Sequence, residues 1–387
     1  MAPVAATPSV IAVEQQQLSL KENLTLMATH ESKLELVKSQ AQMPGPGQAL
    51  VHVRATGVCG SDVHFWKHAG LGPWKITDKT ALGHESGGIV IAIGEGVTNV
   101  KPGDRVAIEP GVPCGKATCN FCLTGQYNLC PSVDFYSVPP ADGTLRRYHL
   151  HPAGWLHKVP ETMSYAEIAL LEPLSVCLHA TAQAQLRLGQ PCLITGAGPI
   201  GVVQLMCASA SGCSPIVITD LSQERLDFAK TVVQDVIPFK IDLSKSEQET
   251  AREIVATFTK ACSGVGGTGL NGEVMPAVTM ECTGVESSIA TAGYATQPSG
   301  LVFVIGVGSS FLKNFPFMHF STNEITLKFL FRYRDTWPRA IRLVSAGKID
   351  VKKIVTAQFP LERAKEAVEH AADRTKFSVK TLIVDDD

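Results

Sequence analysis

The sequence predicts an α/β chain in two domains, a β-rich part and a doubly wound parallel sheet covered by helices. Three observations carry this. The chain has 387 residues, more than a single core usually spans. Up to about Pro160 its apolar runs are short and cut by glycine and proline, as in antiparallel β structure. From about Pro191 to Val307 strand-like runs alternate with helical ones, the mark of parallel strands joined by helical crossovers. The expected division gives 18–175 with 330–387 to the β-rich domain and 176–329 to the parallel-sheet domain.

In chain order, runs 49–53, 88–93 and 104–108 read as strands of the first domain. Residues 188–219 contain no Asp, Glu, Lys or Arg, long enough to suggest a membrane span. Gly196-Ala197-Gly198-Pro199 interrupts that stretch, and Gln190 and Gln204 lie within it. A buried strand at 191–195, a glycine turn and a buried helix account for it better. A strand at 216–219, a helix at 222–232, helical segments at 337–341 and 361–372, and a closing strand at 379–384 complete the pattern.

Composition narrows the partners. Hydrophobic residues make up 45% and charged residues 18%, and 34 basic against 36 acidic side chains leave a net charge of −2. Such a balance gives no pull towards nucleic acid or an anionic membrane, so small neutral ligands are expected. The first 17 residues lack the basic start and apolar run of a signal peptide, which predicts a loose tail and a cytoplasmic location. Four of the eleven cysteines crowd between 114 and 130, and in a large reduced protein that favours metal over disulfides.

Gly196-Ala197-Gly198-Pro199-Ile200-Gly201 follows an apolar strand and opens a helix. The first glycine permits the turn, the second lets backbone approach a pyrophosphate, and the third packs helix on strand. Asp220 ends the next strand, 19 residues after Gly201, where its carboxylate can accept from both ribose hydroxyls and repel a 2′-phosphate. NAD is therefore predicted over NADP. Cys59, His84 and Glu172 offer a thiolate, an imidazole and a carboxylate, and three such donors leave the open position that a catalytic zinc needs. Cys114, Cys119, Cys122 and Cys130 can close a four-thiolate structural site.

Taken together, these residues resemble the zinc-containing medium-chain dehydrogenases, in their polyol branch, from Leu24 to Val384. Glu172-Pro173-Leu174 looks like the sorbitol dehydrogenases. Asp62-Val63-His64-Phe65-Trp66, Gly143 to Tyr148, Met280 to Ser288 and Thr336 to Leu343 look like the fungal L-arabinitol 4-dehydrogenases. The resemblance implies a GroES-like catalytic domain, a Rossmann NAD-binding domain and oxidation of a secondary hydroxyl of a sugar alcohol, with a homotetramer as the common assembly. It makes Cys59, His84, Glu85 and Glu172 the catalytic zinc environment and leaves open whether both carboxylates touch the metal. Ser61 matches the hydroxyl residue at the reacting alcohol and His64 the histidine of a proton path. Phe65, Phe135, Arg332 and Tyr333 match substrate-pocket positions, and Gly196, Gly198, Pro199, Ile200, Gly201, Asp220, Arg225 and Ile305 match cofactor contacts.

This chain departs from the pattern twice. Four residues, not two, separate Cys114 from Cys119, and the loop is expected to close on zinc with a bulge. Leu330 and Phe331 stand where the arabinitol enzymes tend to carry a polar residue. Two other readings remain: a xylitol or sorbitol dehydrogenase with the same chemistry, and a non-catalytic relative that keeps only the nucleotide fold. Non-catalytic relatives tend to lose zinc ligands, and here every candidate ligand is present.

Overall fold

The computed structural model describes residues 20–263 and 272–386; the N-terminal segment read as a tail lies outside them. The first domain is built on a seven-stranded sheet around the long strand Gln48–Gly57. That strand pairs antiparallel with Glu85–Ile93, Tyr148–Pro152 and Lys380–Val384. Arg105–Ile108 and Leu156–Lys158 extend the sheet on one side and Val355–Pro360 on the other. At the end of the central strand, Gly57 lies opposite Glu85 on one side and Leu382 on the other. The C-terminal strand is thereby brought beside residues more than 290 positions earlier.

The second domain holds six parallel strands in the order Ile237–Lys240, Ile216–Asp220, Cys192–Thr195, Val278–Glu281, Leu301–Val304, Thr326–Phe329. In chain order that is 3-2-1-4-5-6, so the winding reverses between Cys192–Thr195 and Val278–Glu281, where such sheets open a crevice at their carboxyl ends. The charge-free stretch resolves as expected. Cys192–Thr195 is buried throughout, and helix Pro199–Ala210 buries eight of its twelve residues. Among the described residues no helix is long and apolar enough to cross a membrane.

The run 301–307 reads in the sequence as an exposed strand able to pair between subunits; in the structure its strand, Leu301–Val304, is instead paired on both sides and largely buried. On that side the sheet ends in Thr326–Phe329. A single hydrophobic cluster joins the domains, with Ala55, Ala107 and Phe135 from the first and Ile194, Val202 and Met280 from the second. Helix Leu171–Ala184 runs through this cluster and carries Glu172 in its first turn.

Candidate active site

Cys59 is the N-cap of helix Gly60–His68, and its backbone N–H donates to Asp62 Oδ2 at 2.9 Å. The other Asp62 oxygen accepts from Gly83 N at 3.0 Å, so one buried carboxylate ties the Cys59 turn to the turn that presents His84. His84 Nδ1 lies 3.0 Å from Ser137 Oγ. A proton on Nδ1 donated to that hydroxyl leaves Nε2 with its lone pair free for a metal. Glu85 opens its strand, and both of its oxygens accept from Lys380 Nζ, at 2.6 and 2.8 Å, in a pair that is almost fully buried. Only glycine fits opposite: a Cβ at Gly57 would lie 2.1 Å from Glu85 Oε2.

Ligand atoms of Cys59, His84 and Glu85 lie within 4.8 Å of one another. Glu172 faces the same group, and burial, with the charges of Glu85 and Cys59 added and His84 opposing, pushes its carboxyl up to about 8. Burial and the Glu85 charge push the Cys59 thiol up to about 11. Cys59 and Glu172 thus face one point, and neither ionises there at ordinary cost. A divalent cation offsets that cost, and the thiolate, imidazole and carboxylate set suits zinc. Of the two carboxylates left open by the sequence, Glu85 belongs to the compact trio and Glu172 stands across from it.

The wall of the site comes from both ends of the chain. Arg332 lies over the Phe135 ring at 3.8 Å and the Phe331 ring at 4.6 Å, and burial lowers its pKa to about 10. Phe135 in turn packs 5.6 Å from His84, and the buried Tyr333 adjoins Glu172. Ser61 sits beside Cys59, while His64 is one turn further along the helix, 5.5 Å from His68. Phe65 is 1% exposed and packs with Leu26, Leu82 and Leu145, so the structure sets it in the core of the first domain.

The four cysteines of the 114–130 loop converge despite the longer first spacing. Cys114 and Cys122 Sγ are 3.8 Å apart, and Cys119 and Cys130 Sγ 3.9 Å. A zinc tetrahedron with arms of about 2.3 Å has edges of about 3.8 Å. The thiols therefore fit that ion with no position left over.

At the carboxyl ends of the parallel sheet, Gly196 turns with φ 89° and Gly198 caps helix Pro199–Ala210. A Cβ at Gly201 would lie 1.7 Å from the Gly196 carbonyl oxygen, which is the close helix–strand packing its place in the motif requires. Asp220 accepts from Ala197 N at 2.8 Å and Ser222 N at 2.9 Å, so it also braces the glycine turn. Arg225 reaches over Gly198, and Ile305 donates its N–H to the Glu281 carbonyl at 2.7 Å. Sequence reasoning missed Glu281: its buried carboxylate accepts from Thr195, Thr283, Gly284 and Ser288 and organises the floor of this crevice. It also missed Asp62, Ser137 and Lys380 as supports of the metal donors.

Residues 45–161 match the alcohol dehydrogenase GroES-like domain and residues 199–346 the zinc-binding dehydrogenase family. The chain belongs to the zinc-binding dehydrogenases. It is 51% identical over 360 residues to L-arabinitol 4-dehydrogenase of Aspergillus oryzae, covering 92% of this chain and 91% of that one. It is 41% identical over 348 residues to sorbitol dehydrogenase of Gallus gallus, covering 90% and 93%. Among solved structures it resembles an Escherichia coli oxidoreductase/dehydrogenase of unknown specificity, at a TM-score of 0.83 and 30% identity over 95% of this chain and all of that one.

Proposed function

We propose that this NAD-dependent polyol dehydrogenase takes L-arabinitol as its preferred substrate and oxidises one of its secondary hydroxyls to give L-xylulose. The observation that carries the reading is the compact trio Cys59, His84 and Glu85, faced by Glu172 and walled by Phe135, Arg332 and Tyr333. Zinc bound there supplies a Lewis acid that lowers the pKa of a substrate hydroxyl, and NAD supplies the acceptor for the departing hydride. Cys59, His84 and Glu85 would hold the ion, and Glu172 faces them. Ser61 Oγ takes the proton from the reacting hydroxyl and His64 passes it towards solvent. The Arg332 guanidinium, fixed flat against Phe135, offers its N–H donors to the remaining hydroxyls of a polyol; a simple alcohol leaves those donors unpaired, at about 1–3 kcal/mol each. The glycine turn and helix N-terminus receive the pyrophosphate of NAD, and the Asp220 carboxylate disfavours a 2′-phosphate.

The xylitol or sorbitol reading differs only in substrate. Kinetics on L-arabinitol, xylitol and D-sorbitol, each with NAD and with NADP, test it: L-arabinitol with NAD is expected to give the highest kcat/KM. A higher value for either other polyol overturns the substrate assignment. We place the enzyme in the cytoplasm as a homotetramer. Phe311, Phe317 and Met318, 80%, 67% and 66% exposed, support a covered subunit face, and sedimentation equilibrium tests the assembly.

A further inference from the structure

The four-cysteine lobe ends in the turn Tyr127–Leu129, immediately before Cys130. Two side chains of that turn leave the lobe altogether. Asn128 Nδ2 donates to the carbonyl of Phe331 at 2.8 Å, and Asn128 Oδ1 accepts from Arg334 Nη1 at 3.2 Å. The Tyr127 hydroxyl accepts from Asp335 N at 2.8 Å and donates to Glu109 Oε1 at 2.8 Å. These bonds reach residues on either side of Arg332 and Tyr333, the two pocket residues on this segment.

The segment has little of its own to keep it in place. Residues 330–336 lie in neither helix nor strand, and Arg332 and Asp335 both adopt left-handed backbone, with φ 56° and 52°. Non-glycine residues hold such conformations only where the surroundings determine them. Here the surroundings are the lobe: Phe331 is fastened from one side, Arg334 and Asp335 from the other, and Glu109 anchors the Tyr127 hydroxyl. The carboxylate of Glu109 is itself fixed by His157 Nε2 at 2.7 Å, and the His157 ring stacks on Trp337 just beyond the segment.

We propose that Tyr127 and Asn128 are positioning residues through which the four-cysteine lobe sets Arg332 and Tyr333 in the substrate wall, so that the lobe governs affinity for the polyol. This rests on the polyol reading above. The test uses the zinc-loaded enzyme carrying Asn128→Ala or Tyr127→Phe, the latter keeping the ring packed 5.1 Å from Trp155. Loss of these bonds is expected to raise KM for the polyol about tenfold while kcat and KM for NAD stay within about twofold. Asn128→Asp, which keeps the acceptor for Arg334 but not the donor to Phe331, is expected to fall between. Tryptophan emission gives a readout apart from turnover, because Trp74 stacks against Phe331 and Trp337 packs edge-on to Tyr333. An emission shift is expected in the variants. Unchanged polyol KM and emission with only a lower melting temperature overturn the proposal and leave the lobe a mere stabiliser. Should Asn128→Ala fail to fold, Tyr127→Phe decides alone. Failure of the polyol reading shows separately, as a parent enzyme with NAD that turns over none of L-arabinitol, xylitol and D-sorbitol.

Discussion

The two sulfur-bearing sites are assembled in opposite ways. The four-cysteine site draws every donor from one loop, and its thiols stand at tetrahedral spacing with three of the four residues still partly exposed. The other site collects Cys59 from one segment and the adjacent His84 and Glu85, both buried, from another, and holds each through a neighbour: Asp62 behind Cys59, Ser137 behind His84, Lys380 behind Glu85. A closed site can rely on its own ligands. An open one, which must keep a position free for substrate, needs its donors fixed from outside.

That contrast predicts divergent effects for the same chemical change. Cys59→Ser is expected to lower turnover by about three orders of magnitude, the loss of several kcal/mol of charge stabilisation, while NADH binding followed by fluorescence persists. Zinc should fall from about two to about one per chain. Cys122→Ser should remove zinc equally but show itself mainly as lost stability and weakened polyol affinity. Equal effects of the two variants on kcat would erase the distinction. A smaller effect isolates the outside support. Gly57→Ala sets a methyl where Glu85 Oε2 now lies, and kcat/KM should drop about 10–100-fold with the four-cysteine zinc retained. Normal kinetics in that variant would show that Glu85 can move without consequence.

The same contrast decides what could be read from the sequence. Adjacent residues disclosed the nucleotide turn and the cysteine lobe, because a glycine pattern between strand and helix, or four thiols in one loop, carries its geometry in its spacing. The choice between Glu85 and Glu172 was not legible, since it depends on sheet register: only the pairing of Gly57 with Glu85 brings that carboxylate to Cys59. Lys380 depends on the next pairing outward. A lone charged residue in a closing strand that continues Thr-Leu-Ile-Val is the one signal that could have pointed to a buried partner. The setting of Phe65 was illegible for a related reason: its place in a matching motif does not say which side of the helix meets the core, and the structure packs it with Leu26, Leu82 and Leu145. The sheet edge was misjudged at Leu301–Val304 because the sixth strand, Thr326–Phe329, is short and only partly buried, with little periodicity to reveal it.

A third buried polar group, on strand Tyr148–Pro152, behaves differently from both sites. His151 Nε2 is 3.0 Å from the Glu109 carbonyl, which can only accept, so Nε2 carries the proton. A neutral His151 then accepts at Nδ1 from His149 Nε2, 3.2 Å away. Burial holds His149 well below its usual pKa and lowers His151 to about 3. In the unfolded chain His151 takes up a proton near pH 6.5, whereas in the folded chain it stays neutral until about pH 3. The unfolded state therefore binds more protons throughout that window, and stability present above pH 6.5 is lost as pH falls. At pH 5.5 the loss from His151 is about 1.4 kcal/mol. His151→Gln, which keeps an N–H for the Glu109 carbonyl, should lower stability at pH 7.5 but lose less between pH 7.5 and 5.5 than the parent does. Denaturant unfolding at both pH values measures this, and comparing variant with parent cancels the acid release of zinc that both share. An identical pH dependence in the two proteins would mean that the histidine pair is not what makes the sheet of the first domain acid-sensitive.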